Sequence, residues 1–272
     1  MKQPTTPCPS WLIELPTCDS TNTWALAHRE ALAHGACVWT RAQTGGRGRG
    51  GNRWHAPPGV LTATFAIDPG RRTSVAEADR HARQIALAAG LAIAHAVEDL
   101  ASGARVMIKW PNDCYMSDRK LAGVLCERGS GSRTLVVGIG LNLDPRWDQD
   151  PAALASIGAS ASVAEACTHA DVPDEVSMLS AIRRYLLEAA GLVAAGAWKR
   201  LLVPMGERDW LAGKSVEVRD ATVVRGVASG FDGEGRLKVA HDRTSTACSG
   251  GSVTVVANAA RAKPGARARS QR

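Results

Sequence analysis

The apolar positions of this chain change period several times, and each change marks an element. Asp19 or Ser20 can cap a helix running to about His34, with Trp24, Leu26 and Ala27 as its apolar positions. Residues 36–42 and the apolar run 60–67 read as strands on either side of a glycine-rich segment. Ser74-Val75-Ala76-Glu77 has the form of a capping box. The alanine-rich stretch that follows to Leu100 carries Ile85, Leu87, Leu91, Ile93 and Val97, which predicts a long, largely buried helix, with Gly90 allowing close packing. Residues 105–109 predict a short strand. Residues 114–116 and 121–126, joined by Ser117-Asp118-Arg119, predict a hairpin. The unbroken apolar run 135–141 predicts a central, fully buried strand. Residues 151–170 read as short helices. Pro173-Asp174-Glu175 opens a helix with Val176, Leu179, Ile182, Leu186 and Val193 on one face, and residues 197–203 form a further segment around Trp198.

Beyond about Leu211 the helical spacing stops. Short strand-like runs at 215–219, 221–228, 237–240 and 252–256, separated by glycine turns, predict a small β-barrel. The chain of 272 residues therefore divides into a main α/β unit over 1–212, a small β-unit over 213–257, and a basic tail over 258–272 expected to be disordered.

Apolar residues make up 45% of the chain, which places it among globular proteins. The formal charge is +7, but Arg261, Lys263, Arg267, Arg269 and Arg272 lie in the tail; the rest is near neutral, which argues little for nucleic acid. Cys8, Cys18, Cys37, Cys114, Cys126, Cys167 and Cys248 form no CxxC pair. Their scatter and odd number fit free thiols in a reducing cytosol, and cytoplasmic location is expected. The first ten residues lack the apolar core of a signal peptide, and no run of eighteen apolar residues suggests a membrane span. His28, His34, His55, His81, His95, His169 and His241 show no metal-ligand spacing.

The chemistry concentrates in two segments. Gln43-Thr44-Gly45-Gly46-Arg47-Gly48-Arg49-Gly50-Gly51-Asn52-Arg53-Trp54 packs five glycines and three arginines ahead of a tryptophan. Glycines let backbone approach a ligand closely, arginines offer forked donors to phosphate or carboxylate, and an indole offers a flat face. The segment reads as a loop that wraps an anionic, nucleotide-like ligand; the competing reading is an RGG-type RNA-binding tract, although it stands alone between two apolar runs. Arg47 and Arg49 flank one glycine, so only a curled loop aims both at one ligand. About sixty residues on come Lys109-Trp110-Pro111-Asn112-Asp113 and Asp118-Arg119-Lys120-Leu121-Ala122-Gly123-Val124-Leu125-Cys126-Glu127.

With Asp19-Ser20-Thr21-Asn22 before them and Gly138-Ile139-Gly140-Leu141-Asn142 after, these blocks resemble biotin protein ligases in order and spacing, from about Leu15 to Val256. The resemblance implies a mixed-sheet catalytic domain of the biotin/lipoate ligase type with a small SH3-like β-barrel. It implies ATP-dependent activation of biotin to biotinyl-5′-adenylate, then transfer to a lysine of a biotin carboxyl carrier protein of acetyl-CoA carboxylase or a related carboxylase. Mg²⁺ would neutralise the triphosphate.

By the same resemblance Ser20, Thr21, Asn22, Gln43, Gly46, Arg47, Gly48, Arg49, Lys120 and Gly123 surround biotin. Trp54, Lys109, Asn112, Asp113 and Asn142 face the nucleotide, and Lys120, Arg49, Lys109 and Asp113 carry the catalysis. Core packing for Trp54, helix capping for Ser20, and turn formation for Asp113 stand as the structural alternatives. Trp110 reads as core. His55 stands where the family often has phenylalanine. The metal ligands are not specified. Some members carry an amino-terminal helix-turn-helix; only some eighteen residues precede Asp19, so no operator binding is expected. A monomer or weak homodimer fits, with no membrane partner. Lipoate or octanoate ligases and transferases of the same fold, and a non-catalytic nucleic-acid binder, are the rival readings.

Overall fold

A computed structural model of the chain describes residues 9–68, 75–130, 132–149, 160–167, 171–241 and 243–256. The expected capping box at 74–77 falls partly outside them, and the basic tail lies wholly outside.

Seven strands form one mixed sheet. They are β1 (Leu12–Leu15), β2 (Cys37–Thr40), β3 (Val60–Ile67), β4 (Met107–Lys109), β5 (Asp113–Met116), β6 (Arg119–Arg128) and β7 (Leu135–Asn142), in the spatial order β1-β2-β3-β7-β6-β5-β4. β1 runs parallel to β2 and the remaining ladders are antiparallel. β3 and β7 are buried at every position, as their unbroken apolar runs predict, and they pair along their full length from Val60↔Asn142 to Ile67↔Leu135. The β5–β6 hairpin forms with Ser117 and Asp118 both at positive φ, 49° and 59°. Aspartate tolerates this region better than most residues.

The two faces of the sheet are covered unequally. α2 (Val75–Leu100) and α3 (Glu175–Ala194) pack on each other and on one face. Ile85, Leu87, Ile93, Val97, Leu179, Ile182 and Leu186 are buried there with Trp39, Phe65 and Ile139. Asp174 caps α3 by accepting from Ser177 N at 2.9 Å. Gly90 is not demanded by crowding: a methyl there would meet Ile108 and Cys114 at ordinary contact distance, 3.6 Å and 3.7 Å. On the other face α1 (Thr21–Ala27) covers one end only, closing a small cluster of Ala25, Val38 and Val136. The rest of that face is left open.

α1 is shorter than predicted. His28 closes it through a backbone bond to Trp24 O at 3.1 Å, and the chain then turns through Ala31 N to His28 O and through Gly35 at φ 79°. Of the helices expected over 151–170, the described residues contain a single 3₁₀ turn, Val163–Ala166, capped by Ser162 and Glu165. Residues 198–206 form a 3₁₀ turn followed by α4 (Leu202–Gly206), with Trp198 buried.

The last part is a five-stranded antiparallel sheet of the small SH3-like kind. β8 (Ser215–Arg219), β9 (Val223–Phe231), β10 (Leu237–His241), β11 (Thr244–Cys248) and β12 (Ser252–Val255) lie in the order β11-β10-β9-β8-β12. β11 lies outside the runs the sequence predicts, and it pairs with β10 throughout. Indole donors fasten the two sheets together. Trp110 Nε1 donates to Gly235 O at 3.1 Å and Trp198 Nε1 to Asp232 O at 3.4 Å.

Candidate active site

The open face of the large sheet is floored by glycines. Alternation along β7 and β6 points positions 138 and 140, and 123, toward the same side, and the register places Gly123 opposite Gly140. A methyl group at Gly138 would lie 2.2 Å from Asn22 Oδ1, and one at Gly140 would lie 2.2 Å from Trp54 Cε2. These glycines therefore make room for two side chains laid flat on the sheet.

At one end the first turn of α1 forms the wall. Ser20 caps the helix, its Oγ accepting from Thr23 N at 3.4 Å. Thr21 donates from its N to Gln43 Oε1 at 3.0 Å and from its hydroxyl at 3.3 Å. Ser20, Thr21 and Asn22 are each buried. Asn22 Oδ1 accepts from the Thr64 hydroxyl at 2.7 Å, and its Nδ2 donates to Leu125 O at 3.0 Å and Glu127 Oε2 at 2.8 Å. Asn22 thus lines the site as a brace whose amide is committed within the protein.

The glycine-rich segment curls as its composition requires. Trp54 N donates to Gly46 O at 3.0 Å and Gly48 N to Asn52 O at 2.7 Å, with a 3₁₀ turn over Arg49–Gly51. Gly50 and Gly51 take φ of 63° and 81°, open to glycine at little cost. A Cβ at Gly46 would stand 2.3 Å from Trp54 O. Arg47 and Arg49 leave the loop toward separate anchors: Arg47 Nη2 lies 2.6 Å from Glu127 Oε2, and Arg49 Nη1 donates to Asn112 Oδ1 at 3.3 Å. Burial pulls the Arg49 pKa down, with Asp113 and Asp220 opposing that shift, and a guanidinium stays charged throughout.

Together these pieces enclose a cavity of about 160 Å³, lined by Ser20, Thr21, Asn22, Gln43, Arg47, Gly48, Arg49, Asn112, Asp113, Lys120, Gly123, Gly138 and Gly140 among others. Arg53 lines it too, so three arginines and a lysine face a single carboxylate, that of Asp113. The balance favours an anionic ligand. Lys120 Nζ sits 2.7 Å from Asp113 Oδ1, an ion-pair contact off the hydrogen-bond axis, and 5.7 Å from the Trp54 ring.

The Trp54 indole lies over Gly140 and Gly123 and also borders a second cavity of about 430 Å³, with His55, Lys120, Asn142, Trp147 and Ser160. Lys120 and Trp54 stand at the junction of the two spaces. Asn142 braces this corner by donating to Ala161 O at 3.0 Å and to Lys120 O at 3.3 Å.

Two predicted residues lie apart. Gly46 lines neither cavity and serves the loop's turn against Trp54 O. Lys109 also borders neither cavity. It shares the open face by register, opposite Asp113, but its ammonium contacts the Tyr115 hydroxyl at 3.1 Å and lies over the Tyr115 and Trp210 rings at 5.0 Å and 5.3 Å. Aromatic faces attract a cation strongly enough to hold it there. Trp110 is core, as expected.

The sequence reading assigned no role to Glu127, Thr64 or Trp147. Glu127 was legible in principle, because positions 123, 125 and 127 of one strand share a face. Among the described residues no group of three or more His, Cys, Asp or Glu can hold a metal ion.

Comparison with known proteins gives this geometry its context. A profile of the biotin/lipoate A/B protein ligase family matches residues 15–144. A biotin–[acetyl-CoA-carboxylase] ligase of Paracoccus denitrificans is 40% identical over 130 residues, 46% of this chain and 51% of that protein. The match thus spans about half of that relative. A biotin–[acetyl-CoA-carboxylase] ligase of Mycobacterium tuberculosis is 30% identical over 227 residues, 80% of this chain and 79% of that protein. The fold is shared with a biotin protein ligase from Aquifex aeolicus solved in complex with biotin and ATP, with a TM-score of 0.74 at 22% identity, covering 90% of this chain and 99% of that one. The glycine-floored site is built on that fold, the motif blocks lie where the profile matches, and the Mycobacterium relative is matched over most of its length: the chain belongs to the biotin/lipoate A/B protein ligase family, on its biotin protein ligase branch.

Proposed function

We propose that this chain activates biotin with ATP and transfers it to a lysine of a biotin carboxyl carrier protein. The observation that carries the reading is the cationic cavity formed where the arginine–glycine loop, the first turn of α1 and the β5–β6 hairpin meet. The Paracoccus and Mycobacterium relatives, both biotin–[acetyl-CoA-carboxylase] ligases, and the biotin and ATP in the Aquifex structure support the same substrates here.

In this reading the bicyclic urea of biotin lies against Ser20, Thr21 and Gln43, and its carboxylate extends toward Lys120. Adenosine occupies the second cavity, with adenine on the exposed face of Trp54 and Asn142 holding the corner. The α-phosphate then falls beside Lys120 and Arg49. A carboxylate oxygen attacks the α-phosphorus, the bond to the β-phosphate oxygen breaks, and pyrophosphate leaves. Lys120 and Arg49 oppose the negative charge gathering on the attacking and phosphoryl oxygens, the usual source of rate in such transfers. The loop keeps water from the mixed anhydride. A lysine amine of the acceptor next attacks the acyl carbon, AMP departs, and the amine proton passes to solvent. Lys109, turned toward Tyr115 and Trp210, acts on the nucleotide only if it leaves that aromatic seat.

Magnesium fits this site in one way. It commonly binds through one or two carboxylates plus substrate phosphates. Asp113 is the carboxylate in the cavity lining, with the amide of Asn112 beside it. When bound, the ion would neutralise part of the triphosphate charge.

A lipoate or octanoate ligase fits less well, because the inner wall is polar where an acyl chain needs apolar surface. We also assign the main unit to 1–212 and the small unit to 213–257, supported by the start of β8 at Ser215, and the acceptor to acetyl-CoA carboxylase or a related carboxylase. Specific DNA is no part of this reading. A cytosolic site of action is supported by the six described cysteines, all free thiols; no helix among the described residues is long and apolar enough to cross a membrane. Pyrophosphate exchange into ATP, measured with biotin, lipoate and octanoate in turn, is the test. Exchange with biotin alone is expected; exchange with either fatty acid and none with biotin overturns the assignment.

A further inference from the structure

Between residues 47 and 53 the cavity-walling loop is tied to the sheet by two side-chain bonds among the described residues. Arg49 donates to Asn112 at 3.3 Å, a long bond to a neutral acceptor. Arg47 contacts Glu127 at 2.6 Å, a short bond between opposite charges, and such bonds are roughly twice as strong as neutral ones. The same carboxylate oxygen, Oε2, also accepts from Asn22 Nδ2 at 2.8 Å. Asn22 is itself seated over Gly138, so the carboxylate joins the loop, α1 and β6 at one point. Glu127 is not among the residues that line the cavity.

An ordinary surface ion pair is the plain alternative, and such pairs do little. Two observations set this one apart. The Glu127 side chain is only 26% exposed, and its oxygen is shared by donors from two different elements. The pair joins the loop to β6, so a movement that carries Arg47 away from the sheet breaks it.

We propose that Glu127 is a positioning residue of the adenylation site. It holds Arg47, and with it the 46–54 loop, down over the cavity, so that the activated acid stays bound until the acceptor lysine arrives. The inference rests on the function proposed above. If the loop swings out early, the mixed anhydride is released. A stray lysine nitrogen then bonds to the acyl carbon, the acyl–phosphate C–O bond breaks, and AMP leaves.

The test compares Glu127→Ala, Glu127→Gln, Arg47→Ala and the Arg47→Ala/Glu127→Ala double variant. Amide hydrogen exchange of residues 46–54 in ligand-free protein reads the latch directly. Biotin KM and kcat in pyrophosphate exchange, and biotin appearing on serum albumin lysines without acceptor, read its consequence. For Glu127→Ala, loop exchange, albumin labelling and biotin KM should each rise about tenfold, the scale of one half-exposed charge-assisted bond, with kcat moving less. Glu127→Gln should fall between, because its single amide oxygen can accept both bonds without the charge. The double variant should be no worse than the worse single one. Unchanged loop exchange and labelling in Glu127→Ala, or effects that multiply fully in the double variant, overturn the proposal. If Glu127→Ala does not fold, wild-type behaviour of Glu127→Gln in all three readouts overturns it. If the unaltered chain shows no biotin-dependent exchange, the proposed function falls, while the loop amides still decide the latch.

Discussion

Replacing Gly140 by alanine should disable the nucleotide side of the site while leaving the fold in place. Gly140 lies mid-strand in β7, where alanine has no conformational penalty. Its new methyl would nevertheless stand 2.2 Å, 2.4 Å and 2.5 Å from Cε2, Cζ2 and Nε1 of Trp54. Carbon atoms rest at about 3.5–4.0 Å, so the indole must lift by about 1.3 Å or more. The strand cannot recoil instead, because β7 is paired on both sides and buried at all its positions. Removing glycine from a strand interior gains about 0.5–1 kcal/mol, which offsets much of the packing lost under the ring. Stacking of a base on an aromatic face contributes about 1–3 kcal/mol. The expected outcome is an ATP KM raised about 10- to 100-fold with a melting temperature within a few degrees of the parent.

The assay is pyrophosphate exchange against ATP at saturating biotin, run beside a thermal melt. Gly123→Ala is the graded control, because its methyl would meet Trp54 Cζ3 at 3.3 Å and needs only a few tenths of an ångström. It should raise the ATP KM only a few-fold. The Trp54→Ala/Gly140→Ala double variant should match Trp54→Ala alone. Parental ATP affinity in Gly140→Ala, or a loss equal to that of Gly123→Ala, would refute the reasoning that the glycine exists to seat the indole.

Lys120→Ala should slow adenylation by about 10²–10³, or roughly 3–4 kcal/mol, because it removes the one ammonium at the junction of the two cavities and leaves Asp113 unpaired; a near-parental adenylation rate in single-turnover measurements would contradict its role. Arg49→Gly removes the loop's bond to Asn112 and should increase escape of the activated acid, seen as indiscriminate lysine labelling; a variant that retains the intermediate as tightly as the parent would contradict this. Burial pushes the Asp209 carboxyl up from 3.8 to about 6, so between those values the folded chain keeps a proton the unfolded chain has lost, and stability falls as pH rises through that window. Above it the buried charge costs about 3 kcal/mol. Asp209→Asn should therefore stabilise at pH 8 and not at pH 4, by about 1 kcal/mol once the amide left unpaired at the buried Oδ2 position is counted, as read from urea midpoints at both pH values.

The sequence was most readable where one signal acted alone. The runs 60–67 and 135–141 are wholly apolar and bounded by turn residues, and they became the two central strands with little change. α3 began where Asp174 promised a cap. Reading failed where a local pattern was overruled by a contact from elsewhere. Alanines and leucines after His28 keep helical spacing, yet the chain turns so that Gly35 can reach Ala66 O at 2.7 Å. β11 is Thr- and Ser-rich and mostly exposed, so its pairing with β10 left no apolar trace. For the site, the motif blocks named nearly every cavity residue, but blocks do not say which way a side chain turns. Lys109 sits in the motif and points to Tyr115, because Trp210, a hundred residues on, completes an aromatic seat for it. Asn22 was read as a ligand contact, and its amide is taken up by Leu125, Glu127 and Thr64, none of them near it in sequence.

The central claim is that a carboxylate attacks the α-phosphorus of ATP in this cavity. Biotin labelled with ¹⁸O in its carboxylate, turned over with ATP and a carrier-protein acceptor, tests it in one mass spectrum. Attack by the carboxylate leaves one of its oxygens on phosphorus when the lysine amine takes the acyl group. AMP should carry one ¹⁸O and pyrophosphate none; unlabelled AMP alongside biotinylated acceptor, or label in pyrophosphate, would contradict carboxylate attack.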